Sequence, residues 1–157
     1  LALVQGHPFD RAAFGEILDS FTDVSVSCVD HPAAEKLLNS AALADIDTLI
    51  LYDMPGLDFR VAPADRPAQR SPSEALQESL RAVLGAGIGI VALHHALAGW
   101  PLWAEYGQWL GGRFLYRPDT RPTSAQPSSG YRKNVRYGVS RCDPVHPVLE
   151  GVPDRFE

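Results

Sequence analysis

A chain of 157 residues with 45% hydrophobic and 21% charged side chains has the size and composition of one globular domain, which excludes disordered, collagenous and coiled-coil classes. Its longest apolar run, residues 88–93, falls far short of the roughly 20 residues a membrane helix needs, and no membrane partner is expected. The formal charge of −5 argues against nucleic acid as a partner. That charge is uneven: Arg113 to Arg141 holds seven basic residues and one acid, Asp119, so this stretch carries +6 and the remainder −11. Without the interleaved stacking aromatics of a single-strand binder, it reads as a solvated loop paired with the acidic remainder.

In chain order the pattern alternates strand and helix. Residues 1–4 (Leu-Ala-Leu-Val) form a short buried-type strand, and Gly6-His7-Pro8 turns it into a helix with Phe9, Ala12, Ala13, Phe14, Ile17, Leu18 and Phe21 on one face. Residues 24–29 alternate as a second strand. Asp30-His31-Pro32 opens a helix to about Asn39, and residues 48–52 read as a fully buried third strand with Asp53 at its carboxyl end. A polar excursion, 54–70, precedes Ser71-Pro72-Ser73-Glu74, a capping box for a helix carrying Leu76, Leu80, Val83 and Leu84. Residues 88–93 form a fourth strand running into His94-His95-Ala96, followed by an aromatic-rich helix over 99–110. Residues 117–130 form a Pro/Ser/Thr-rich loop, and 135–140 a last strand. Both this loop and the 54–70 excursion are expected to be mobile walls or lids.

This alternation implies parallel strands with right-handed crossovers, hence an α/β fold with an open doubly wound, mostly parallel sheet. Ligands of such sheets bind outside the carboxyl ends of the strands, and a flavodoxin-like order 2-1-3-4-5 brings His7, Asp53 and His94 together there. Three of the five histidines precede proline (His7, His31, His146), which keeps them on junctions rather than helix faces. His31 follows the edge strand and ranks below the others, while His95 serves either a core contact or the site.

Gly85-Ala86-Gly87-Ile88-Gly89 lies between a helix and the following strand, the reverse of a dinucleotide fingerprint, and there is no phosphate loop. The turn at 92–96 sits where α/β hydrolases and glutamine amidotransferases carry a nucleophile on a sharp elbow, yet neither Ser nor Cys occupies it. The two cysteines, Cys28 and Cys142, make no CxxC pair and suit a reducing compartment. Trp100, next to the His94 turn, is the aromatic best placed to stack on the C–H face of a sugar ring. A divalent metal such as zinc, if held, would draw on His7, His94 and His146, with Asp53 or His95 as a further ligand. The competing reading is a metal-free pocket of the same imidazoles.

Residues 90–96 (Ile-Val-Ala-Leu-His-His-Ala), then Trp100, Leu110-Gly111-Gly112-Arg113-Phe114, and residues 143–151 (Asp-Pro-Val-His-Pro-Val-Leu-Glu-Gly), with Gly6-His7-Pro8 at the start, resemble the ThuA-like (trehalose utilisation) family. The resemblance implies a class I glutamine amidotransferase-like fold in which His94 takes the place of the catalytic cysteine, and a link to carbohydrate metabolism. The family's acidic Asp-Glu-x-Tyr element has no counterpart before Glu157. We therefore read the chain as a single domain, 1–157, open to truncation at both ends.

The expected function is binding of a sugar or keto-sugar at the carboxyl edge by a cytoplasmic protein, without amidotransferase activity. His7, His94 and His146 would be the acid–base groups, and Asp53, His95, Trp100 and Asp143 the substrate contacts. The alternative is a non-catalytic binding or assembly module on the same scaffold, and a homo-oligomer is compatible with either.

Overall fold

The computed structural model describes residues 1–120, 125–142 and 145–156. The central sheet has four strands, β1 (Ala2–Gln5), β2 (Cys28–Asp30), β3 (Thr48–Asp53) and β6 (Gly89–Ala92), all parallel and in the order β2-β1-β3-β6. β6 is the fourth strand of the sequence reading, so the first four positions of a flavodoxin-like order are matched. Two short strands of the excursion, β4 (Leu57–Asp58) and β5 (Ala68–Gln69), pair as a separate antiparallel ladder.

Side-chain alternation divides the sheet into two faces. Leu3, Leu49 and Leu51 share a face, and in β3 these odd positions are the buried ones. Against them pack Ala34 of α2 (Ala33–Leu37), Leu76, Leu80 and Val83 of α3 (Glu74–Gly85), and Tyr106 of α4 (Ala104–Trp109) with Trp100 and Trp103. On the opposite face α1 (Arg11–Asp19) lays Phe14 against Tyr52, 4.8 Å between ring centroids. Helices therefore flank both faces.

Several element boundaries move for local reasons. α1 begins beyond Pro8 because Asp10 is the N-cap, its carboxylate accepting from the Ala13 amide. Ser73 rather than Ser71 caps α3, accepting from the Leu76 amide. The expected 99–110 helix is split: a 3₁₀ turn covers His94–Ala98, Trp100 adopts φ 40°, and α4 starts only at Ala104. The expected fifth strand does not join the central sheet. Among the described residues only β7 (Val139–Ser140) of that segment is paired, and its partner is the antiparallel β8 (Arg155–Phe156). Since both strands are exposed, their pairing buries nothing that could seat them on β6. No helix among the described residues is long and apolar enough to cross a membrane.

Candidate functional site

A cavity of about 950 Å³ opens on the Tyr52 face, at the carboxyl ends of β1 and β6. That volume is within the range of small-molecule sites. Its histidines come from two strand-to-helix connections. Gly6, at φ 95°, turns the chain sharply after β1, and a Cβ there would lie 2.8–2.9 Å from Met54 atoms, so only glycine lets the His7 turn pass so close to the end of β3. His94 and His95 leave β6 on the 3₁₀ turn, held by the Leu93 amide donating to the Leu51 carbonyl and the Ala96 amide donating to that of Leu93.

The three imidazoles are in contact. His7 stacks parallel on His95 at 3.8 Å, 12° between planes, and His94 meets His95 at 4.0 Å, tilted by 43°. Tyr52 closes the stack from below, 4.6 Å from His7. Both ring nitrogens of His7 face main-chain carbonyl oxygens, Nε2 that of Tyr52 at 3.1 Å and Nδ1 that of Pro8 at 3.2 Å, so whichever nitrogen carries the ring proton donates it to the backbone. Burial, then the neighbouring His7 and His94, push His95 down to about 4, which leaves it uncharged at neutral pH.

The outer walls are Phe59 from the excursion and Phe114, Tyr116 and Tyr131 from the segment after α4. This segment is pinned where it returns: the Phe114 amide donates to the Leu97 carbonyl, and Leu115 and Ser129 exchange hydrogen bonds. Arg113 reaches the cavity from the same wall, its Nη2 donating to Asp119 Oδ2 at 3.1 Å. Burial pushes the Tyr116 phenol up to about 12, so it stays a donor.

The other candidates lie elsewhere. Asp53 follows Tyr52 by one residue and therefore points through the opposite face, where it is 2% exposed and accepts from His31 Nε2 at 2.7 Å. The expected meeting of Asp53 with His7 and His94 is not formed. Trp100 is also buried on that face, with the Arg70 guanidinium 4.8 Å over its ring, and does not line the cavity. His146 is exposed, and its Nδ1 accepts from the Val148 amide to cap the short turn Pro147–Leu149, so it is no partner to His94. Asp143 lies outside the described residues. The expected metal set of His7, His94 and His146 is accordingly not assembled, and no group of three His, Cys, Asp or Glu that could hold a metal occurs among the described residues.

The residue ranked lowest, His31, proves the hub of a polar network that runs from the buried Asp53 out to the surface. Besides Asp53 it faces Glu35 Oε1 at 3.5 Å, and Glu35 in turn accepts from Arg70 at 2.8 Å. Burial pushes the Asp53 carboxyl up, opposed by its hydrogen bond from His31. This network ties α2 and the end of the excursion to β3, beneath the cavity. Its sequence signal was a histidine at the carboxyl end of a strand next to β1. The four aromatic wall residues carried no periodic signal, because they stand on irregular segments.

The turn bearing His94 also differs from a nucleophile elbow. None of residues 92–96 is at positive φ, and both cysteines are exposed and absent from the cavity lining. Comparison of the chain with family models, curated proteins and solved structures returns no match.

Proposed function

We propose that this chain binds a sugar or keto-sugar in the cavity at the carboxyl edge of its sheet, on a scaffold of the class I glutamine amidotransferase-like, ThuA-like kind, without amidotransferase chemistry. The observation that carries the reading is the convergence of His7, His94 and His95 in one cavity of small-molecule size walled by Phe59, Phe114, Tyr116 and Tyr131. Aromatic faces cover the apolar C–H faces of a pyranose, and imidazoles and phenols exchange hydrogen bonds with its hydroxyls. The stacking role assigned to Trp100 by the sequence falls instead to these wall aromatics.

If a reaction follows binding, proton movement at a carbon beside a carbonyl suits the site best. His94 is the exposed imidazole at the mouth and would move the proton. His95, uncharged, would accept or donate a hydrogen bond to the neighbouring oxygen. The second reading, a non-catalytic binding module, is favoured by one specific observation, the placement of both His7 ring nitrogens against backbone carbonyls, which directs its ring proton to the main chain.

Ligand-induced thermal shifts across disaccharides, 3-keto-sugars and divalent metals test the proposal, since a ligand that binds only the folded state raises the midpoint by mass action. At least one sugar is expected to raise it, and His95→Ala to remove the shift. A panel in which no sugar moves the midpoint overturns the proposal. Proton exchange into a bound keto-sugar, followed by NMR in heavy water, separates the catalytic reading from the binding one.

A further inference from the structure

Resting on the reading of this cavity as a sugar site, we propose that it takes uncharged sugars and excludes phosphorylated ones, because the cation on its wall is neutralised before any ligand arrives. Arg113 is the one arginine or lysine lining the cavity among the described residues. Its Nη2 donates to the Asp119 carboxylate at 3.1 Å, and the Asp119 side chain is only 8% exposed. The backbone beneath Asp119 is anchored, exchanging two main-chain hydrogen bonds with Gln126 at 2.8 and 2.9 Å. The Arg113 stem is fixed as well, packing within 3.3–3.4 Å of where a Gly107 side chain would begin. The pair thus presents guanidinium N–H groups with no net charge, which suits hydroxyl oxygens and gives a phosphate dianion little to pair with.

Among the described lining residues no lysine and no second arginine adds a cation. His95 is uncharged. In the turn His94–Ala98 the Ala96 amide is already spent on the Leu93 carbonyl, and the Gly99 amide that closes the turn on that of Ala96. His94 stands exposed at the mouth, where water screens it. A dianion entering here would shed its hydration with no unpaired arginine or lysine among the described lining residues to compensate, in a chain of net charge −5.

Isothermal titration at pH 7.5 with glucose, trehalose and methyl α-glucoside against glucose 6-phosphate and trehalose 6-phosphate decides the matter. The neutral sugars are expected to bind at least about tenfold more tightly than their phosphorylated counterparts. Asp119→Asn keeps the side chain's shape and unmasks the guanidinium, and should shift that ratio about tenfold toward the phosphates. Arg113→Gln unmasks the carboxylate instead and should sharpen the exclusion, so the proposal stays open to test if one variant fails to fold. Phosphorylated sugars binding as tightly as neutral ones overturn this proposal and leave the sugar-site reading standing. Binding of neither class overturns both. A ratio unmoved by either substitution overturns the Arg113–Asp119 cause.

Discussion

His95 packs between His7 and His94 with its pKa pushed down to about 4, so between that value and the ordinary 6.5 the unfolded chain holds a proton that the folded chain does not. The stabilisation linked to the neutral ring is complete above about pH 6.5 and is lost as the pH falls toward 4. Asp53 works in the other direction: burial raises its carboxyl, so what it contributes is present at low pH and is lost as the pH rises through its folded value. Comparing wild type with His95→Gln cancels Asp53. Urea unfolding across pH 4–7 should show wild type losing stability on acidification more steeply than the variant. The difference should total on the order of 1 kcal/mol once solvent screening of a partly exposed ring is allowed for. Parallel pH profiles would show that burial and crowding of this ring cost nothing. Removing the partner of a buried group is costlier. Asp53→Ala removes the nearer of the two carboxylates facing His31 beneath the sheet and should lower stability by about 2–4 kcal/mol in the same assay, with Asp53→Asn losing less.

The excursion that walls the cavity depends on one tight crossing. Gly56 has φ 80°, and a Cβ there would lie 2.7 Å from the Trp100 ring and 2.8 Å from the Arg70 carbonyl. Gly56→Ala should therefore cost about 2–3 kcal/mol and detach Arg70 from Trp100, read as a lower unfolding midpoint and a changed tryptophan emission. Unchanged emission in a folded variant would mean that the crossing is slack. The order of the central strands was legible in the alternation of apolar runs with capped helices, because each run is local and its crossover has one permitted hand. Which residue at a strand end faces the cavity was not legible. Tyr52 and Asp53 differ by one position, and a single-residue offset reverses the face, so Asp53 was expected beside His94 and lies under the sheet. Trp100 was misplaced for a related reason: a helix drawn through 99–110 hides the positive φ that turns the indole into the core. Residues 135–140 have the composition of a strand, but strand composition names no partner, and their paired part joins β8 instead of the sheet.

At the scale of the molecule, the cavity and the thiols are separate. Cys28 and Cys142 are both exposed, and neither lines the cavity or the turn at 92–96. Full alkylation is therefore expected to leave sugar-induced thermal shifts unchanged, and the protein to release no ammonia from glutamine before or after treatment. Glutamine hydrolysis lost on alkylation would restore a thiol mechanism and refute the reading of the His94 turn.

The placement of β6 at the margin of the sheet has a consequence for the exchange of its amide protons with solvent. The Gly89 and Leu93 amides turn inward, donating to Asp47 and Leu51 carbonyls at 3.0 and 2.9 Å. By the alternation of a parallel strand, Ile90 and Ala92 aim theirs the other way, toward the side where the central sheet has no further strand among the described residues. In heavy water the four amides should therefore separate into a slow pair and a fast pair along one short strand. A single slow class would reveal that another backbone covers this margin in solution, for example that of a second copy of the chain.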